Sequence, residues 1–159
     1  MMEIKEEKWL FKKYFLTAGK GESEVSKMNA FDKALLEAGI GHCNLVSVSS
    51  IIPKGAIEVK NGNIPAGSIT FVVLSRMDGE EEQLITAGIG VAKCEEYGLV
   101  AEAYGFKTEE EILKEIRDKL YAMASTRNFE VLEIKTKVES MVVPKGKYGS
   151  VVAAVVFSP

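Results

Sequence analysis

Two adjacent serines, Ser49 and Ser50, end the apolar stretch that begins at Asn44. The alternating β-branched residues before them and the turn-forming Pro53 after them predict a strand that ends in a rigid turn. Such a turn can press the Ser50 hydroxyl against the Ser49 carbonyl. Attack would convert the peptide into an ester, and elimination followed by hydrolysis would leave a pyruvoyl group and ammonia. The alternative is a turn in which both hydroxyls satisfy nearby backbone groups.

A carboxylate interrupts the apolar pattern of the first predicted helix, which runs from the cap Ser26 to about Ala38. Asp32 stands at a position that should be apolar on the face formed by Met28, Phe31, Leu35, Leu36 and Gly39. Burying a carboxylate without a partner costs several kcal/mol. Asp32 is therefore expected to meet either a basic side chain of the same fold or a ligand.

Glu102 occupies a predicted strand from Leu99 to Phe106. Alternation places it on the face of Val100, Tyr104 and Phe106, so its carboxyl is expected among apolar groups. Desolvation would raise its pKa and keep a fraction of it protonated near neutral pH, which is the state a proton donor needs. The alternative is an edge-strand glutamate that points into water.

Asn44 shares its predicted strand face with Val46, Val48 and Ser50. Its amide is either a donor toward the Ser49 carbonyl, as in an oxyanion hole, or a cap at the entry of the strand after the loop 41–43.

The sequence around these candidate residues predicts a mixture of helices and strands that would hold them in position. A second helix is expected from the cap Thr108 to about Arg127, with Glu111 completing a capping box and with Ile112, Ile116, Leu120 and Met123 forming an apolar stripe. Between and around the helices we expect seven strands, at Tyr14–Ala18, Asn44–Ser49, Ile69–Leu74, Leu84–Val91, Leu99–Phe106, Glu130–Val138 and Tyr148–Phe157. No linker divides the chain, so residues 1–159 are expected to form a single α+β domain.

Composition limits the classes of function. With 159 residues, of which 47% are hydrophobic and 27% charged, the chain can bury a core. A net charge of -3 gives no reason to expect nucleic acid or an anionic membrane as partner. The charged N-terminal residues and the lack of a long apolar run predict a cytoplasmic protein. A single histidine, His42, and two distant cysteines, Cys43 and Cys94, predict free thiols and no metal site.

Several separated motifs, in order, resemble the pyruvoyl-dependent arginine decarboxylases. They are Gly21-Glu22-Ser23-Glu24, the stretch Asn29–Ile40, and the stretch Asn44–Pro53, with weaker similarity through Gly98–Glu102 and at Thr108–Glu111. The resemblance extends from about Tyr14 to Phe157.

The resemblance implies a layered α/β/β/α sandwich and a homotrimer of cleaved protomers, with active sites where protomers meet. It implies cleavage between Ser49 and Ser50 into residues 1–49 (β subunit) and 50–159 (α subunit). The second piece would begin with a pyruvoyl group made from Ser50, which replaces pyridoxal phosphate as the electron sink without a metal. The expected reaction converts L-arginine to agmatine and carbon dioxide.

The same resemblance assigns roles to the candidate residues. Asp32 would bind the substrate guanidinium, whose paired donors match a carboxylate. Glu102 would be the general acid, and Asn44 would assist self-cleavage. The chain departs from its relatives at Ala103, where an aromatic residue or histidine is usual, so we expect a difference there in substrate fit or in the pKa of Glu102.

Three alternatives stay open at this stage. The same chemistry could act on lysine, ornithine or histidine. A non-catalytic paralogue could bind a metabolite or a partner subunit without being processed. A trimeric structural domain could use all three polar residues in ordinary core pairs.

Overall fold

The computed structural model describes residues 9–159. In this part the chain forms two helices and nine strands, in the order β1 Lys13–Ser23, α1 Lys27–Glu37, β2 Asn44–Ser47, β3 Ile51–Ile52, β4 Ile57–Glu58, β5 Ile69–Gly79, β6 Leu84–Lys93, β7 Gly98–Gly105, α2 Glu109–Arg127, β8 Glu133–Val142 and β9 Tyr148–Ser158.

The strands form two sheets that pack face to face. The first sheet has the order β2-β5-β9-β1-β4, and the second has the order β3-β7-β6-β8. Their facing sides enclose a core that includes Tyr14, Val73, Val91, Val100 and Val155. Helix α1 covers the outer face of the first sheet and α2 covers that of the second. The predicted α+β sandwich with α/β/β/α layers is confirmed.

Helix α2 follows its sequence signals closely. The Thr108 side chain accepts a hydrogen bond from the Glu111 amide at 3.2 Å, and Asn128 ends the helix in the left-handed conformation at φ 58°. Ile112, Ile116 and Leu120, which the helical spacing predicted as an apolar stripe, are fully buried against the second sheet.

Helix α1 begins as predicted, since the Ser26 hydroxyl accepts from the Asn29 amide at 3.0 Å, but its buried face is different. Ala30, Ala34 and Ala38 face the sheet. The predicted stripe is right only in part: Phe31 and Leu35 pack against this core, whereas Met28 is 75% exposed and Leu36 is 58% exposed.

The reason lies in β1 beneath the helix. A Cβ on Gly19 would lie 2.3 Å from the Ala34 carbonyl oxygen, and one on Gly21 would lie 2.4 Å from that of Ala30. Small residues on both elements therefore let the backbones approach closely. The first strand, expected to end at Ala18, instead continues through residues 19–21 to Ser23.

Candidate active site

The Ser49–Ser50 peptide lies where the chain crosses from one sheet to the other. The pairing of β2 with β5 extends to Val48, whose amide donates to the Val72 carbonyl at 2.8 Å. Pairing with β7 has already begun at Ser50, whose carbonyl accepts from the Val100 amide at 2.8 Å. Ser49 is the single residue between these two bonds, so both sides of the peptide are held by the framework.

The two hydroxyls of this crossing are available for chemistry. Ser49 is exposed and Ser50 is half-buried. Neither side chain makes a hydrogen bond to any other residue within 9–159. The alternative of a turn that uses both hydroxyls on its own backbone is thus not what the described residues show.

An apolar cavity of about 240 Å³ adjoins the crossing. Val48 and Ile51, which flank the two serines, contribute to its wall, together with Trp9, Phe11, Pro53, Phe71 and Phe157. Because no lining residue is ionisable, the cavity supplies a low-dielectric surface and no counter-charge to the peptide.

Glu102 lies on β7, two residues beyond Val100. It is half-buried, and burial raises the pKa of its carboxyl, while the nearby Lys119 opposes that rise. The predicted direction of the pKa shift is confirmed. The apolar surroundings are only partly as expected, since Val100 is buried but Tyr104 is 53% exposed and Phe106 is 59% exposed.

The strand register relates Glu102 to Ser50. Ile51 pairs with Leu99 and Ile52 with Gly98, so one further step along the antiparallel register places Ser50 opposite Val100. Val100 and Glu102 share one face of β7. Ser50 and Glu102 are therefore diagonal neighbours, and such positions lie about 7–8 Å apart. A substrate attached at residue 50 would be within reach of the Glu102 carboxyl.

Asp32 lies on α1, which covers the outer face of the first sheet. Its side chain is exposed and makes no ion pair with any residue in 9–159. The candidate basic partner nearby, Arg76, instead binds Asp78 through two bonds of 3.0 and 2.8 Å and stacks on Phe31 at 3.6 Å. Among residues 9–159, therefore, no side chain neutralises the Asp32 carboxylate.

Asn44 stands at the far end of β2. Its side-chain amide donates to the Gly67 carbonyl at 2.8 Å, and its backbone amide donates to the Ser68 carbonyl at 2.9 Å. Four residues of extended chain separate it from Val48, which corresponds to roughly 13 Å. In one protomer Asn44 caps the strand entry and does not reach the Ser49 carbonyl.

The side of the sandwich that carries the crossing also exposes apolar residues. Val46 on the edge strand β2 is 41% exposed, Val48 just after that strand is 38% exposed, and Ile51 on β3 is 39% exposed. Tyr104 near the end of β7 and Phe106 just after it are exposed as well. Contiguous apolar surface at a polar site is typical of a surface that another protein covers.

Lys119 was not identified from the sequence. Its ammonium donates to the Glu102 backbone carbonyl at 2.8 Å, across 17 residues of sequence. Nothing in the residue pattern joins a solvent-side lysine of a helix to a strand carbonyl.

Within residues 9–159 the structure contains neither a metal-ligand cluster nor a membrane-spanning helix. Residues 9–159 contain no group of three or more His, Cys, Asp or Glu side chains arranged to hold a metal ion. Neither helix in that range is sufficiently long and apolar to cross a bilayer. Cys43 and Cys94 are free thiols, as predicted.

Comparison with known proteins identifies the family of this chain. The family model described as pyruvoyl-dependent arginine decarboxylase matches residues 13–159. The protein of that name from Methanopyrus kandleri is 36% identical over 147 residues, which cover 92% of this chain and 96% of the relative. Those from Methanothermobacter thermautotrophicus and Pyrococcus furiosus are 37% and 33% identical, covering 91% and 95% of this chain and 95% and 98% of the relatives. The chain belongs to the pyruvoyl-dependent arginine decarboxylase family.

Proposed function

We propose that this chain cleaves itself between Ser49 and Ser50 and then decarboxylates L-arginine to agmatine and carbon dioxide. The observation that carries the proposal is the position of the Ser49–Ser50 peptide, which is held between two hydrogen-bonded strand pairs in diagonal register with Glu102. Family membership gives the substrate class.

Cleavage uses atoms of the chain and one water. The Ser50 hydroxyl oxygen attacks the Ser49 carbonyl carbon, the peptide C–N bond breaks, and the nitrogen takes up the proton, giving an ester with a free amine. Loss of the Ser50 α-proton then breaks the Cβ–O bond and releases residues 1–49 with a carboxylate end. Water hydrolyses the remaining enamine to a ketone and ammonia. The surroundings of the two serines fit this series of steps, because both hydroxyls lack other partners within residues 9–159.

The pyruvoyl group so formed supplies a ketone that condenses with the substrate amine and accepts the electron pair released with carbon dioxide. The residues of this chain supply the rest. Glu102, with its pKa raised by burial, holds a proton for the substrate α-carbon. Asp32 binds the guanidinium, and the distance between Asp32 and the reacting centre selects side-chain length.

The complete site requires more than one protomer. Asn44 lies at the far end of β2 from the Ser49–Ser50 crossing of its own chain, and Asp32 has no partner within residues 9–159. The exposed apolar side at Val46, Val48 and Ile51 offers a surface for a second copy. We propose a homotrimer in which Asp32 and Asn44 complete a neighbouring crossing.

An intact mass of the purified chain tests the first step. We expect two polypeptides that divide after Ser49, with the second lighter by one ammonia than a fragment that begins with an ordinary serine. Ser50→Ala should give one uncut chain without activity, and Ser47→Ala, an exposed serine on β2, should cut normally. Two fragments from Ser50→Ala, or a single chain from the wild type, would refute the assignment.

A substrate screen tests the second step. Carbon dioxide release is measured with arginine, lysine, ornithine and histidine at equal concentration. We expect arginine to react with the highest kcat/KM, because a single carboxylate pairs best with a two-donor guanidinium. If the chain is cleaved but releases no carbon dioxide from any of these amino acids, it is a processed binding protein and not a decarboxylase.

A further inference from the structure

The carbonyl of Glu102 faces an open edge of the second sheet. Alternate residues of an antiparallel strand direct their amides and carbonyls to the same neighbour, so Glu102 faces the β3 side as Val100 does. Strand β3 ends its pairing at the Val100 amide, which donates to Ser50. The Glu102 carbonyl, beyond that point, accepts the Lys119 ammonium at 2.8 Å. A side chain from α2 thus replaces the missing strand.

Lys119 is itself held in place by a short chain of charges. Its ammonium lies 3.6 Å from a carboxylate oxygen of Glu115, one turn earlier on α2, and Lys107 lies 3.6 Å from the other oxygen. That second Glu115 oxygen is buried and has no hydrogen-bond partner among the described residues. The two lysines therefore compensate a carboxylate that would be costly to leave unpaired.

We propose that Lys119 is the positioning residue for Glu102, fixing the free edge of β7 by its bond to the Glu102 carbonyl and supplying the positive charge next to that carboxylic acid. This inference rests on the proposed function, in which Glu102 donates the proton. The reason is geometric: without the bond, the β7 edge beyond Val100 has no partner on the β3 side, and the Glu102 side chain moves with it.

The charges around Glu102 are few. On the neighbouring strands, β3 contributes only Ile51 and Ile52, and Ile89 is the β6 residue paired with Glu102. Ser75 of β5 in the other sheet, which donates to the carbonyl of the next residue, Ala103, is neutral. On α2, Lys119 lowers the pKa of Glu102 against the larger effect of burial. Removing Lys119 charge should therefore move the Glu102 titration to higher pH.

Four variants separate position from charge. Lys119→Met removes both, Lys119→Gln keeps a donor without charge, and Lys119→Arg keeps both. Lys114→Met is the matched control, because Lys114 is a more exposed lysine on the same helix and pairs with Asp118. The kcat of each, normalised to pyruvoyl content, is measured from pH 5 to 10. Carbon-13 NMR of glutamate-labelled protein follows the Glu102 carboxyl directly, with Glu102→Gln identifying its signal.

We expect Lys119→Met to lower kcat by roughly tenfold with little change in KM, since a small displacement of a catalytic group has effects of that order or larger. In this variant the alkaline limb of the kcat–pH profile and the NMR titration of Glu102 should both move to higher pH. Lys119→Gln should show the same shift with a smaller loss of kcat, and Lys119→Arg should restore both. An unchanged Glu102 titration in Lys119→Met, or an equal shift in Lys114→Met, would overturn the proposal. If the wild type forms no agmatine, the proposed function fails while the NMR titration still decides the role of Lys119.

Discussion

The Ser75 hydroxyl on β5 donates to the Ala103 carbonyl on β7 at 3.0 Å, and both residues are buried. This bond joins the two sheets directly beside Glu102. It therefore links the stability of the sandwich to the placement of the proposed proton donor.

Ser75→Ala should lower the free energy of unfolding by about 1–3 kcal/mol, because it removes a buried hydroxyl that binds this carbonyl. Urea unfolding followed by circular dichroism measures the change. Ser125→Ala, at an exposed position of α2, is the control and should stay within about 0.5 kcal/mol of the wild type. Equal stability of the two variants would show that the bond between the sheets contributes nothing.

Glu102→Gln should lower kcat by roughly 10²–10⁴-fold, the usual contribution of a positioned general acid. Whereas the substitution lowers kcat, it should raise thermal stability relative to the wild type as the pH increases. Because the pKa of Glu102 is raised in the fold, the fold prefers the protonated form, and that contribution is lost as pH rises through the raised pKa. The melting temperature of Glu102→Gln relative to wild type should therefore be higher at pH 8 than at pH 5. A relative melting temperature that falls over this interval would contradict the burial of the carboxyl.

Asp32→Asn should raise KM for arginine by roughly ten- to a hundredfold, the loss expected for hydrogen bonds to a charged group. Because Asp32 is exposed and unpaired within residues 9–159, the stability of the separate protomer should hardly change. Glu37→Gln, another exposed carboxylate of α1, is the control for loss of charge on this helix. Steady-state kinetics on fully cut protein make the comparison, and an unaltered KM would remove Asp32 from the substrate site.

Asn44→Ala should slow self-cleavage, so that uncut chain accumulates in an intact mass taken soon after synthesis. The variant also loses the 2.8 Å bond to the Gly67 carbonyl and with it about 1 kcal/mol of stability. Gly67→Ala separates the two effects, since φ +83° at that residue strains any other side chain and loosens the same turn while keeping the amide. If Gly67→Ala accumulates as much uncut chain, Asn44 acts only through the turn.

Much of the fold could be predicted from the sequence where large side chains carry the signal. The capped helix α2 and its stripe of Ile112, Ile116 and Leu120 were correctly placed. Helix α1 was placed correctly along the chain but rotated, because its buried face consists of alanines. A pattern based on large apolar residues selected Met28 and Leu36 instead, which are exposed in the single protomer.

The candidate site, like the fold, could be predicted from the sequence only where the signal is local. The raised pKa of Glu102 followed from strand alternation, which is a local property. Three features depend on how distant segments meet: the position of Asn44 relative to Ser50, the bond from Lys119, and the absence of a basic partner for Asp32 among residues 9–159. Such contacts are set by tertiary packing, and no short-range periodicity contains them.

The place of β1 in the first sheet has a consequence for the processed molecule. It lies between β9 and β4 and is paired with β9 from Lys13 to Ser23, so a cut after Ser49 leaves a central strand and its covering helix on a separate polypeptide. Before the cut these segments meet at the high effective concentration of a tether, whereas afterwards their reunion is a bimolecular event. Denaturation of the mature form should thus depend on protein concentration and recover poorly on dilution, while the uncut precursor refolds as one chain. Cleavage would therefore make unfolding of the mature protein hard to reverse, so its persistence would be set by the rate of unfolding.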